Sequence, residues 1–362
     1  MKRLKIETLY KTSQILIDEN IVKAEIKKLK DKYSINNVFI VIDKNVKLLY
    51  PDVVNFLNKE FLKVTKHIVN ASEKNKSLKS IEQILTKLSK ENYGRDSWLI
   101  SIGGGITGDI AGFAASIYKR GIKLVQIPTT LLAVVDSSVG GKTGINFNNK
   151  KNIVGTFFQP DYVLIDTKFL KTLPEREIIC GIGEVIKYGY LYDLTLFKYI
   201  SNNLNNLLKL DSKSIEMIIH TSLKIKAAIV AQDETEEGIR KILNLGHTFA
   251  HAFESSLNFR IKHGEAVIAG IRCSLFLSFI KGLIDEVELN HLLSLSLSIP
   301  LKAAKLKTDK SSAYRAMLSD KKNRNGQIKF VLVKGVGEIV IDVEATKDEV
   351  YDSLKLFQAT LI

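Results

Sequence analysis

Cysteine is nearly absent. Cys180 and Cys273 stand far apart, which excludes a disulfide framework and a CxxC metal knuckle. The start, "MKRLKIETLYKTSQILIDENI", is basic but lacks the continuous apolar stretch and cleavage signal of an export leader. No apolar run approaches the roughly 18 residues that read as a membrane-spanning helix. The cytoplasm is therefore the expected location, with no membrane partner. Arginine-rich tails and nucleic-acid motifs are missing as well, although 53 Lys and Arg against 39 Asp and Glu leave a net charge of +14. The lysines scatter over the polar sides of amphipathic stretches such as "NKSLKSIEQILTKLSK". Patches rather than totals mark nucleic-acid binding, so no nucleic-acid partner is expected. A basic excess also suits an anionic small substrate.

What is present is an ordinary globular composition, 45% hydrophobic and 25% charged over 362 residues, enough chain for two domains. "NVFIVID", "VTKHIVN", "SWLISIGGG", "KLVQIPTT" and "DYVLID" read as strands, with amphipathic helices such as "SLKSIEQILTKLSKENYG" between them. That alternation predicts a parallel sheet with helices on its faces. After "LKTLPERE" the apolar spacing turns mostly helical, and "GQIKFVLVKGVGEIVIDV" predicts a hairpin with Gly335 and Gly337 in its turn. The fold class expected is an α/β nucleotide-binding domain with a parallel sheet over residues 1–174, then a mainly α-helical domain over 175–362.

"WLISIGGGITGDIAGFAA" sets Gly103, Gly105 and Gly108 in the spacing G-x-G-x-x-G between a strand and a helix. Glycines there let the backbone approach a pyrophosphate, and the helix start offers free N–H groups to its charge. The acidic residue expected about 20 positions later is missing, so an adenosine end must be held otherwise. Further on, "VDSSVGGKTGINFNNKKNIVGTFFQP" reads as a long polar loop. Its Lys142, Lys151 and Asn152 favour contact with an anion.

Histidine is scarce, six in all, yet three fall within "GHTFAHAFESSLNFRIKHGEA". His247 and His251 stand one helical turn apart, and on spacing alone they pair as metal ligands. The H-E-x-x-H pattern fails, because Thr248 follows His247. His263, before Gly264 at an expected helix start, is a third candidate. Glu184 in "GIGEVIKYGY" is the candidate carboxylate, with Lys187 three residues on and on the same face. If "LNLGHTFAHAFE" and the residues before it form one helix, Arg240, Asn244, His247 and His251 share a face.

"GGGITGDIAGFAASIYKRG", "IPTTLLAVVDSSVGGKTGIN", "KNIVGTFFQP", "EVIKYG", "LNLGHTFAHAFE" and "HGEAV" follow one another from about residue 40 to about 335. Together they resemble the 3-dehydroquinate synthase family. The resemblance implies conversion of 3-deoxy-D-arabino-heptulosonate 7-phosphate to 3-dehydroquinate and phosphate in the shikimate route to aromatic amino acids. It implies tightly bound NAD, one divalent metal (zinc, or cobalt in its place) and a homodimer. By this match Glu184, His247 and His263 are the metal ligands, and His251 moves to the substrate group. Asp43, Glu73 and Lys76 hold the adenosine end of NAD. Gly104, Gly105 and Asp109 lie along the pyrophosphate, with Thr129, Thr130, Lys142, Lys151 and the run Phe169, Leu170, Lys171 and Thr172 completing the cofactor site. Arg120, Asp136, Lys142, Asn152, Lys187, Lys226, Arg240, Asn244 and His251 serve the substrate, with Lys321 (Lys322 as the alternative) as a late contact.

The implied chemistry is transient oxidation, elimination of phosphate, reduction and an aldol ring closure. Ile182 and Gly183 stand where the family often has a bulkier residue and Ala. The alternatives are a sister sugar-phosphate cyclase making an inosose or valiolone ring, a metal-dependent polyol dehydrogenase that releases NADH, and a binding protein that kept the fold without the chemistry.

Overall fold

The computed structural model describes all residues except 9–10, 149, 193, 259, 302–305, 307, 319–326 and 362. Lys321 and Lys322 therefore lie outside the described residues. The chain forms two units, Met1–Leu173 with Lys226–Thr235, and Pro174–Ile225 with Glu236–Ile362. The return of Lys226–Thr235 to the first unit has no counterpart in a simple division after residue 174.

In the first unit, β1 (Lys2–Glu7), β2 (Thr12–Asp18), α1 (Val22–Tyr33), β3 (Asn37–Asp43), α2 (Lys44–Leu49), α3 (Pro51–Glu60), β4 (Lys63–Val69), α4 (Leu78–Lys90), β5 (Trp98–Gly103), α5 (Gly105–Ile117) and β6 (Lys123–Pro128) come first. A hairpin of β7 (Lys142–Phe147) and β8 (Lys150–Phe157) and then β9 (Tyr162–Asp166) complete it. Seven strands form one sheet in the order β1-β2-β9-β6-β5-β3-β4. Every neighbouring pair is parallel except β1 with β2.

The strands are continuous apolar runs because both faces of the sheet are covered. Val38, Ile40 and Ile42 pack with Val22 and Ile26 of α1 on one face. Phe39, Val41 and Leu99 pack with Ile84 of α4 and Ile110 of α5 on the other. Two features depart from the sequence reading. The N-terminal hairpin β1–β2 was not among the expected strands. The stretch expected as a loop is instead a π turn, Ala133–Ser137, followed by the β7–β8 hairpin. Glycine makes that pairing possible: a Cβ on Gly155 would sit 2.0 Å from the Thr143 carbonyl oxygen.

The second unit contains α6 (Glu175–Tyr192), α7 (Leu194–Leu208), α8 (Ser212–Gln232, whose end belongs to the first unit), α9 (His247–Ser256), α10 (His263–Ile280), α11 (Glu286–Leu297) and α12 (Lys310–Leu318). The hairpin β10 (Lys329–Gly335) and β11 (Glu338–Glu344) and helix α13 (Lys347–Ala359) follow, with Gly337 in the left-handed turn at φ +82°. Helix α10 is the unit's central rod. By length and composition it could cross a membrane, but 83% of it is buried inside the fold. It packs between α6 and α9, and glycines set both approaches: Gly264 lies against Cys180 of α6, and Gly270 lies against Gly246.

Candidate functional site

At the first unit's sheet, β3, β5, β6 and β9 end at Asp43, Gly103, Pro128 and Asp166, all on one edge. The chain leaves β3 outward to β4, then crosses back to place β5 on the other side of β3. Such a reversal opens a crevice beyond the strand ends, where open α/β sheets bind ligands. Gly103 ends β5, Gly104 caps α5 and Gly105 begins it. A Cβ on Gly104 would press on Thr130 at 3.0 Å, and one on Gly105 would meet the Ser137 hydroxyl at 2.9 Å. Bare backbone and the uncapped N–H groups of α5 thus face this edge. Thr129 N–H donates to the Gly103 carbonyl at 3.0 Å, tying the ends of β5 and β6 together.

Around this edge the structure gathers a polar cluster. Lys76 pairs with Asp109 and also donates to the Asn152 side chain. Lys151 pairs with Glu73 at 3.3 Å. Burial lifts the Asp109 carboxyl above its ordinary range against the opposing pull of Lys76. Burial acts on Glu73 in the same sense, but Lys151 and Lys76 outweigh it and hold that carboxyl low. Asn146, absent from the sequence reading, joins these groups. Its amide donates to Glu73 Oε2 at 2.8 Å, its Oδ1 accepts from the Asn152 N–H at 3.0 Å, and its own N–H donates to the Lys76 carbonyl at 2.8 Å. It closes the stretch "IPTTLLAVVDSSVGGKTGIN", but its links depend on the unforeseen β7–β8 pairing.

Most of the other expected site residues also have partners within the chain. Asp43 caps α2, its Oδ1 accepting from the N–H groups of Asn45 (2.7 Å) and Val46 (3.3 Å). Phe169 and Leu170 have core side chains, so only their main chain can meet a ligand. Thr172 lies 3.0 Å from the Tyr50 hydroxyl, and Lys171 pairs with Glu19. Thr130 Oγ1 accepts from the Ala133 N–H at 3.3 Å, which shapes the π turn. In that turn Asp136 pairs with buried Lys226 at 2.7 Å, and Lys226 also donates to the Asp136 carbonyl at 2.8 Å. Lys142 opens β7 at an exposed position.

Arg120 is not brought to this edge. It precedes β6, at the strand's amino end, among Lys11, Arg95, Lys123, Tyr33 and Tyr162. Within one chain Arg120 therefore lies at the opposite end of β6 from the residues that follow it.

In the second unit Glu184, His247 and His263 place their ligand atoms within 4.8 Å of one another. Glu184 sits fully buried on α6, with one oxygen paired to Lys187. Its Oε1 lies 3.6 Å from His247 Nε2 and 3.4 Å from His263 Nε2. His247 turns its Nδ1 to the Leu245 carbonyl at 3.2 Å, which directs Nε2 inward. His263 Nδ1 lies 3.4 Å from Oε1 of Glu254, a buried carboxylate the sequence reading passed over. The helical spacing offered a signal for it, since Glu254 falls on the same face as His247 and His251. Burial alone would lower the His263 pKa, but Glu254 and then Glu184 outweigh it and push it up to about 10. The start of α10 is pinned by Glu265, which accepts from the Lys262 N–H at 2.9 Å and from Arg176 at 2.6 Å.

His251 stands at the rim, its ring 5.7 Å from His247 and 6.5 Å from His263. The single helical face expected for Arg240, Asn244, His247 and His251 does not form. Ile239–Asn244 is a 3-10 turn, Gly246 is left-handed at φ +78°, and α9 starts only at His247. Glycine is required there twice over, by the left-handed φ and because a Cβ would lie 2.8 Å from the Ile271 nitrogen. Arg240 is buried within the turn, and Asn244 donates to Glu236 at 2.5 Å. One carboxylate and two imidazoles that leave a position open are the donor set of a catalytic divalent-metal site.

Comparison with known proteins agrees with these two frames. The profile described as "3-dehydroquinate synthase N-terminal" matches residues 66–180, and "3-dehydroquinate synthase C-terminal" matches residues 181–323. A 3-dehydroquinate synthase from Pelagibacter ubique (strain HTCC1062) is 43% identical over 350 residues, 94% of this chain and 95% of that protein. A 2-deoxy-scyllo-inosose synthase, solved with carbaglucose-6-phosphate, NAD+ and Co2+, shares the fold at a TM-score of 0.90 with 22% identity, covering 98% of this chain and 100% of the other. ValA, a 2-epi-5-epi-valiolone synthase from Streptomyces hygroscopicus subsp. jinggangensis 5008 solved with NAD+ and Zn2+, gives 0.87 with 26% identity and 99% coverage of each chain. With the sequence relative alike over nearly its whole length and both halves matched, this chain belongs to the 3-dehydroquinate synthase family.

Proposed function

We propose that this chain converts 3-deoxy-D-arabino-heptulosonate 7-phosphate to 3-dehydroquinate and phosphate, as a lyase requiring NAD and a divalent metal. The observation that carries this reading is the Glu184, His247 and His263 triad in a chain of this family. The donor set fits zinc or cobalt. The bare Gly104–Gly105 turn at the sheet's reversal point fits a pyrophosphate. When bound, the two groups supply Lewis acidity at substrate hydroxyls and reversible oxidation at one substrate carbon.

The chain's own residues do the rest. Asp109, Lys76, Glu73 and Lys151 hold the cofactor in the first unit, with Gly104, Gly105, Thr129 and Thr130 beneath its phosphates. Asp43 and the main chain of Phe169–Thr172 border it. Lys142, Asn152 and Lys226, the last set by Asp136, bind anionic oxygens of the substrate. In the second unit Lys187, Arg240, Asn244 and His251 bind its polar groups, and His251 is placed to carry a proton at the rim of the triad. A substrate with both carboxylate and phosphate needs such cations, because burying an unpaired charge is costly. The family resemblance also supports a homodimer in the cytoplasm.

The reading is tested by supplying the heptulosonate phosphate with zinc and catalytic NAD. Phosphate release many-fold above the NAD present, without accumulating NADH and abolished by a chelator, is the expected result. NADH accumulating in step with substrate loss would instead mark a dehydrogenase. Asn146→Ala, which cuts the links to Glu73 and Asn152, is expected to raise the Kd for NAD about tenfold by calorimetry, the equivalent of one or two lost hydrogen bonds.

A further inference from the structure

The geometry points to Glu254 as a positioning residue for the metal site. This inference rests on the metal reading above and assigns a role to a side chain outside the three ligands. Glu254 sits on α9 among Phe249, Ala250, Ala252 and Phe253, all buried core residues, and is itself only 2% exposed. A carboxylate in such surroundings is costly unless a donor faces it. The ring of His263 is such a donor, its Nδ1 3.4 Å from Glu254 Oε1. The opposite ring nitrogen, Nε2, lies 3.4 Å from Glu184 Oε1, toward the centre of the triad. The imidazole therefore spans two carboxylates, one within the ligand set and one behind it.

Glu254 accepting from Nδ1–H leaves the Nε2 lone pair for the metal and strengthens it as a donor. Carboxylates behind ligating histidines have this effect, and their loss typically weakens metal affinity about 10–100-fold. On His247 the Nδ1 faces the Leu245 carbonyl at 3.2 Å. On His263 the group facing Nδ1 is the anionic Glu254. Glu254 touches neither substrate nor cofactor in this assignment; it acts through His263.

The test measures zinc affinity of the full chain by competition with a metal-sensitive chelator, for the unaltered protein, Glu254→Gln and Glu254→Ala. Circular dichroism and the denaturant midpoint of the metal-free protein report that each variant is folded. Glu254→Ala is expected to raise the zinc Kd about 10–100-fold. Glu254→Gln, which keeps an acceptor oxygen of the same shape but no charge, is expected to fall between. Nitrogen-correlated proton spectra of the zinc-loaded protein should show His263 as the Nδ1–H form in the unaltered chain, and a mixed or mobile ring in Glu254→Ala. If Glu254→Ala does not fold, Glu254→Gln alone decides. Zinc affinities within twofold of the unaltered protein in every folded variant would overturn the assignment and leave the metal reading intact. No zinc binding by the unaltered protein would overturn both.

Discussion

Replacing Gly264 by Ala is expected to destabilise the second unit by about 3 kcal/mol or more and to weaken zinc binding at the same time. The new Cβ would lie 1.8 Å from the Cys180 carbonyl oxygen and 2.5 Å from its carbon. Those are backbone atoms in the buried stretch of α6, so no flexible side chain can move aside. The Gly264 N–H also donates to Cys180 Sγ at 3.2 Å, and burial pushes that thiol up to about 12, so it stays protonated and inert. Relief therefore requires the start of α10 to back away from α6. Such a shift carries His263, the preceding residue, away from Glu184, four positions after Cys180 on the other helix. Denaturant unfolding and a zinc competition titration check the two effects. Normal zinc affinity in a destabilised variant would mean that the triad tolerates a change in helix spacing. The mirror position is Gly183, where a Cβ would meet the Gly264 carbonyl oxygen at 2.4 Å.

Zinc affinity is expected to rise steeply with pH, by up to about tenfold per unit between about 6.5 and about 10. In the metal-free protein His263 is held at about 10 by Glu254 and Glu184 against the effect of burial. At neutral pH the site thus carries a proton that the metal must displace. A flat affinity from pH 7 to 9 would show that His263 is already neutral. The same shift predicts the opposite slope for the metal-free protein. A histidine whose folded pKa is raised contributes its full stability below the ordinary value of 6.5, and loses it as pH climbs through about 10. Metal-free protein should therefore melt progressively lower over that window. The difference from His263→Asn isolates this group from the other titrating side chains. Zinc-loaded protein, with the proton already displaced, should not show this loss.

The parallel strands were legible because burial on both faces leaves an unbroken apolar run, as in "NVFIVID", where only Asn37 is exposed. The β7–β8 hairpin was not. Its second strand, "KKNIVGTF", has no fully buried residue and no regular apolar alternation, so its sequence resembles a solvated loop. Pairing with β7 supplies what periodicity could not reveal. In the candidate site, Glu184, His247 and His263 could be singled out by residue type and by resemblance. Their convergence depends on Gly183, Gly264 and Gly270, which lie where a neighbouring backbone comes close, and on Gly246, which is both closely packed and left-handed. The expected polar rail failed because continuous helical spacing from Arg240 to His251 does not hold across Gly246. Arg120 was visible in its motif, but a motif does not say which end of a strand a residue will occupy.

The route of the chain limits how this molecule can be cut. Lys226–Thr235 lies deep in the helical half of the sequence yet belongs to the α/β unit, where Lys226 meets Asp136 and Glu234 accepts from Gln159 at 3.0 Å. The α/β unit is consequently not an interchangeable cassette. A gene fragment ending at residue 173 would encode all seven strands of its sheet and still lack the lysine that neutralises Asp136. Recombination between relatives at that junction would draw Asp136 from one parent and Lys226, ninety positions further along the chain, from the other.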